Sequence, residues 1–157
     1  MGKIVSREEL AKIVLELKKQ GKKIVTTNGA FDILHIGHIR SLQQAKSFGD
    51  VLIVGVNSDS SIKQYKSDKR PINPENDRAE MLAALECVDY VTIFTETTPC
   101  ELLELIKPDI HVKSGYKPEE MPETEVVRKN KGEIRIVPLV AGKSTTNIIR
   151  KICDVYG

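Results

Sequence analysis

The sequence predicts an α/β fold: a single Rossmann-like, doubly wound domain around a mainly parallel five-stranded sheet. Two observations predict it. Helical and extended hydrophobic patterns alternate from end to end, the order that parallel βαβ units impose. In addition, Val51-Leu52-Ile53-Val54-Gly55-Val56 is an unbroken apolar run, as expected of a strand covered on both faces. A length of 157 residues suits one domain with a real core, read as an N-terminal helix within 1–21 and a main body over 22–157.

The elements follow in order. Ser6-Arg7-Glu8-Glu9 is a capping-box pattern, and Leu10, Ile13, Val14 and Leu17 share one helical stripe, so a helix covers about 6–20 and ends at Gly21. Lys22 to Thr26 reads as the first strand, 38–48 as a helix closed by Gly49, and Val51 to Val56 as the second strand. After a polar loop, Asn73-Pro74 supplies an N-cap and a first-turn proline for a helix over about 74–86. Val91 to Phe94 is the third strand. Thr98-Pro99-Cys100-Glu101 is a second capping-box pattern, with Leu102, Leu103, Leu105 and Ile106 behind it. Asp109 to Val112 makes the fourth strand, 122–130 a helix, Glu133 to Val137 the fifth strand and Ser144 to Val155 the closing helix. No repeat, low-complexity segment or linker interrupts the pattern.

Composition excludes several classes. The net charge of +2 is too small for a nucleic-acid or membrane surface, and 4% aromatic residues without Trp leave no stacking platform for single strands. No run has the length of a membrane span, and Met1-Gly2-Lys3 leads into an amphipathic helix rather than a signal peptide. Cys87, Cys100 and Cys153 are odd in number and lack CxxC spacing, so they read as small buried hydrophobes in a reducing compartment. The cytoplasm is the expected address.

In doubly wound sheets, ligands bind beyond the carboxyl ends of the strands, near the switch in strand order. Residues 28–38, 57–59 and 113–116 fall at such ends, and Gly142 to Asn147 opens the last helix. Within the first segment, His35 and His38 flank Gly37 at a strand-to-helix junction. Backbone N–H groups, the positive end of the helix dipole and two imidazole donors can then converge on one anion. Zinc binding would need a third ligand, and His111 is isolated. Gly29 and Gly37 permit close backbone approach.

Other residues keep two readings each. Asp32 suits a loop or helix start, or a role in holding Mg²⁺ or ordering the histidines. Asp59 suits a turn or cap, or contact with a nucleotide's sugar or base. Lys63, Lys66, Lys69 and Arg70 suit a solvated loop, or one lysine among them neutralises a departing pyrophosphate. Arg78 suits an exposed helical arginine or a phosphate clamp. Gly142-Lys143-Ser144-Thr145-Thr146 is not a P-loop, because position 137 is Val, yet hydroxyls at a helix start make a second phosphate cradle beside simple capping by Ser144. The absence of GxGxxG disfavours a dinucleotide-dependent oxidoreductase.

These residues resemble the HxGH nucleotidyltransferase superfamily over about 24–152. Asn28-Gly29, Phe31-Asp32, Val56-Asn57-Ser58-Asp59, Arg70-Pro71-Ile72-Asn73-Pro74 with Arg78, Val112-Lys113 and Ser144 to Ile149 look most like the D-glycero-β-D-manno-heptose 1-phosphate adenylyltransferase branch. Glycerol-3-phosphate cytidylyltransferases are similar in the HxGH and Ser-Thr-Thr segments, less so around 70–74 and 147–149. Two departures stand out. Ser114-Gly115-Tyr116 follows Lys113 where the family usually has Gly-Gly-Asp-Tyr, and Ala30 stands where cysteine is common.

The resemblance implies AMP transfer from ATP to the heptose 1-phosphate, with Mg²⁺ accompanying ATP, ADP-heptose for lipopolysaccharide as product, and a homodimer. His35, His38 and Lys66 are the expected catalytic residues. Asn28, Gly29, Ala30, Phe31, Gly37, Asp59, Arg78, Ser144, Thr145 and Thr146 are expected to hold the nucleotide, and Asp32 and Lys113 the acceptor; no metal ligand is assigned. The competing readings are a cytidylyl- or flavin-adenylyltransferase of the same superfamily, a non-catalytic nucleotide-binding regulator and, least of all, a nucleic-acid module.

Overall fold

The computed structural model describes residues 1–157. Strands β1 (Lys3–Ile4), β2 (Ile24–Gly29), β3 (Val51–Asn57), β4 (Tyr90–Phe94), β5 (Ile110–Ser114) and β6 (Glu133–Val137) form one sheet in the order β1-β4-β3-β2-β5-β6. Every pairing is parallel. The sheet therefore has six strands, not the five expected. The extra one is two exposed residues beside Tyr90 and Val91, too short to show any periodicity.

Helices α1 (Arg7–Lys19), α2 (Ile36–Ser47), α3 (Asp59–Tyr65), α4 (Glu75–Ala83), α5 (Cys100–Ile106), α6 (Glu123–Lys129) and α7 (Thr145–Tyr156) connect or follow the strands. All of β3 is buried, and its alternate residues enter two different cores. Val51 and Ile53 join Leu10 and Val14 of α1 and Leu102 and Ile106 of α5. Leu52, Val54 and Val56 join Leu42 of α2 and Ala79 and Leu82 of α4. That two-sided burial is why the strand lacks polar alternation.

Three local expectations change. Ser6 does cap α1 by accepting from the Glu9 N–H. However, α4 and α5 begin after Pro74 and Pro99 with no side-chain cap, and the Asn73 amide instead donates to the Asp32 carbonyl at 2.6 Å. The polar loop after β3 contains α3, which buries one aliphatic side chain, Ile62, and so shows no apolar stripe.

Chain order runs β2, β3, β4 outward on one side and then returns to place β5 on β2's other side. The switch in order thus lies between β2 and β5. Their carboxyl ends, Gly29 and Ser114, open into the main cleft.

Candidate active site

The cleft has two lobes. The first, about 300 Å³, is lined by the segment after β2, the start of α2, Lys66, Arg70, Lys113, and the stretch from Pro138 to Thr146. The second, about 400 Å³, shares Asn28, Gly29, Ala30, Lys66, Lys113 and Tyr116 with it and extends to Tyr65, Thr97, Thr98 and Glu123.

His35 is the N-cap residue of α2, and its Nδ1 accepts from the Gly37 N–H at 3.1 Å. That bond leaves Nε2 to carry the proton of the neutral ring, so the ring is an N–H donor. A Cβ at position 37 would stand 2.8 Å from the His35 ring, so a side chain there would displace the ring from the Gly37 N–H. The His38 ring stacks on His35 with centroids 3.8 Å apart, and its buried Nδ1 has no hydrogen-bond partner. Burial first, then His35 and Lys66, push His38 down to about 4; burial also lowers His35. Both rings are therefore neutral donors at pH 7. Phe31 props His38 from the other side with centroids 5.2 Å apart, and takes φ 49°, a left-handed conformation that costs a side-chain-bearing residue roughly 1–2 kcal/mol.

A second helix start faces the same lobe. Ser144 caps α7 by accepting from the Asn147 N–H, and Thr145 Oγ1 donates to the Ile33 carbonyl at 3.1 Å, tying α7 to the loop before α2. The first N–H groups of each helix have no intrahelical acceptors. Lys66, Arg70, Lys113 and Lys143 also line this lobe, whereas its one carboxylate, Asp32, faces inward to a loop. Lys113 donates to the Asn28 carbonyl at 3.1 Å and lies over the Tyr116 ring; burial lowers its pKa. The whole is a built anion site, with donors and cations in excess of acceptors.

The profile of the cytidylyltransferase-like family matches residues 26–151. The chain belongs to that family. It is 51% identical over 99% of its length to the bifunctional protein HldE of Geobacter metallireducens, and 55% identical over 92% to that of Nitratiruptor sp.. It spans about a third of the length of these curated relatives, 32% and 31%. Among solved structures, it resembles a lipopolysaccharide core biosynthesis protein from Thermoplasma volcanium, with TM-score 0.63 and 30% identity, covering 76% of this chain and 98% of that one. Pantoate-beta-alanine ligase from Francisella tularensis, at TM-score 0.67 and 17% identity over 98% of this chain and 80% of that one, shares the fold. The nucleotidyltransferase class expected from the sequence is therefore the family's own.

Within this cytidylyltransferase-like cleft, Asn28, Gly29, Ala30, Phe31, Gly37, His35, His38, Lys66, Ser144, Thr145, Thr146 and Lys113 stand together around the first lobe. Three other expectations are corrected. Arg78 is fully buried and is no clamp. Its guanidinium donates to the carbonyls of Asn73, Ala30 and Asn57 and to Asp59 Oδ1, all at 2.7–2.9 Å. Asp59 follows β3, one strand away from the switch, and lines neither lobe; its carboxylate is Arg78's partner. Asp32, only 1% exposed, accepts from Arg70 Nε at 2.7 Å and from the Ile72 and Asn73 N–H groups at 2.9 Å. Burial pushes this carboxyl up, but those donors outweigh it and hold it below the usual range. Asp32 thus fastens the 70–73 loop over the cleft instead of reading an acceptor.

The apolar wall Pro138-Leu139-Val140, Tyr116 and, in the second lobe, Tyr65, Thr97, Thr98 and Glu123 were given no role in the sequence. The wall follows β6 at its carboxyl end, a position that the strand-end rule covers. No local signal marks Glu123. No three His, Cys, Asp or Glu side chains cluster as a metal site. No helix is long and apolar enough to cross a membrane.

Proposed function

We propose that this chain transfers AMP from ATP to D-glycero-β-D-manno-heptose 1-phosphate, forming ADP-heptose and releasing pyrophosphate. The observation that carries it is the pair of stacked neutral imidazoles between two helix starts, ringed by cations, at the strand-order switch. An acceptor phosphate oxygen attacks the α-phosphorus in line, the bond to the β-phosphate's bridging oxygen breaks, and pyrophosphate departs. The nucleophile is already an anion, so no general base is needed, and catalysis consists of positioning and charge stabilisation. His35 and His38 donate to the phosphate oxygens that gain charge. Lys66 neutralises the leaving group, the Ser144-Thr145-Thr146 helix start holds the outer phosphates, and Lys113 faces the acceptor's phosphate.

The choice of acceptor rests on the motif resemblance around 70–74 and 144–149, and accords with the name of the 30%-identical Thermoplasma protein. Pyrophosphate release measured with ATP and CTP against a panel of sugar and polyol phosphates tests it. Turnover is expected with ATP and the heptose 1-phosphate. A preference for CTP and glycerol 3-phosphate overturns the substrate assignment, and ATP binding without any pyrophosphate release makes the chain a regulator.

A homodimer and a cytoplasmic address belong to the same reading. Three unpaired thiols, none of them fully buried as the sequence suggested, and an ATP substrate support the address. No residue of α7 is buried, and Ile148, Ile152 and Val155 form a stripe that a second copy would cover. Light scattering should give twice the chain mass, and half that mass after Ile152→Asp; a monomeric parent chain counts against the dimer.

A further inference from the structure

Lys113 lines both lobes of the cleft. The first holds the imidazole pair and, at its far side, the apolar wall from Pro138 to Val140, suited to phosphates and a flat base. The second sets the polar groups of Asn57, Thr97, Thr98 and Glu123, suited to hydroxyls, among the apolar surfaces of Pro99, Met121 and Pro122. Among these Glu123 is unusual. Its side chain is only 5% exposed, and carboxylates are rarely buried unless paired.

Its neighbour is a second buried oddity. His111 is fully buried on β5, with Nδ1 2.8 Å from Thr26 Oγ1. Its Nε2 has no hydrogen-bond partner and stands 3.7 Å from Glu123 Oε1, just beyond bonding range. An unpaired buried donor is costly, and here a small movement of Glu123 toward the ring would satisfy it. Burial lowers His111, so the ring is neutral; with the Thr26 hydroxyl donating to Nδ1, Nε2–H points at the carboxylate. Burial also pushes Glu123 up, but His111, its own backbone N–H and Lys113 outweigh this and keep it ionised. An ionised carboxylate with free acceptor capacity, at the wall of a cavity that mixes polar and apolar surface, takes two adjacent hydroxyls as strong charge-assisted bonds.

We propose that Glu123 is the residue that selects a polyol acceptor, by accepting hydrogen bonds from a vicinal diol in the second lobe, and that Thr26 and His111 position its carboxylate. This rests on the nucleotidyltransfer reading and adds to it the group that distinguishes a sugar phosphate from a plain phosphate ester. It also supplies a carboxylate to a chain that lacks one directly after Lys113.

The test compares the wild-type chain with Glu123→Gln, Glu123→Asp and His111→Gln, measuring the KM of heptose 1-phosphate, the KM of ATP and direct ATP binding by calorimetry. Glu123→Gln should raise the acceptor KM about 10- to 100-fold with ATP binding unchanged, the loss expected for charge-assisted hydrogen bonds. Glu123→Asp should fall between, and His111→Gln should raise the acceptor KM less. Unchanged acceptor KM in Glu123→Gln overturns the proposal, as does a matching rise in the ATP KM, which would put Glu123 in the nucleotide seat. Thermal unfolding checks that each variant folds; should Glu123→Gln not fold, Glu123→Asp decides by the same criterion. If the wild-type chain neither binds nor turns over any sugar phosphate, the sugar-phosphate acceptor reading falls and this one with it. If it turns over a sugar phosphate that Glu123→Gln uses equally well, only this inference falls.

Discussion

His38→Ala should keep the fold and lower the rate of ADP-sugar formation by about 10²–10³-fold, the loss expected when one donor to a developing phosphate charge is removed. The ring is half-buried at the cleft wall, between Phe31 and His35, so its removal leaves a polar space next to solvent instead of a core void. Activity of a folded variant within a few-fold of the parent would exclude this role. The ring's titration gives a second readout. Its folded value, about 4, lies below the ordinary 6.5. Between these two values the unfolded chain binds the proton and the folded chain does not, so His38 makes stability fall as pH drops from 6.5 toward 4. Denaturation of the two proteins across that window should show a shallower loss for His38→Ala. A residual slope from His35, which is lowered in the same direction, should remain. Because the rings act as neutral donors, kcat/KM should stay level near pH 6.5 and fall only well below it.

Arg78→Leu should destabilise the chain by about 3–5 kcal/mol, because three carbonyls lose their charged donor together. The guanidinium reaches four acceptors on three separate segments, and the carbonyls of Ala30, Asn57 and Asn73 would lose it together. Arg78→Lys should recover little, since one ammonium lacks the fork that spans those positions. Denaturant midpoints measure both. A midpoint for Arg78→Leu close to that of the parent would contradict the buried-hub role. Activity should drop as well, because Ala30 and Asn73 sit on the two loops that Asp32 joins beside the histidine pair.

Much of the fold could be read from local pattern. Five of the six strands and six of the seven helices fall where periodicity puts them, because alternation and helical stripes report burial residue by residue. The two missed elements lacked that report. β1 has two exposed residues, and α3 contributes only Ile62 to the aliphatic core. The first lobe was similarly legible, since His35, Gly37 and His38 act through spacing inside one loop-to-helix junction.

The sequence by itself determined the layered architecture and the anion-binding junction, both of which depend on neighbours a few residues apart. Only the tertiary structure decided which charged side chains face the cleft. Arg78 reads locally as a surface arginine, yet its partners lie at Ala30 and Asn57; Asp32 reads as a site acid, yet Arg70 and the backbone at 72 and 73 occupy it. Glu123 reads as an ordinary helix-start glutamate until α6 brings it against His111. Whether a charge is satisfied or free depends on groups tens of residues away, and those meet only when the sheet assembles.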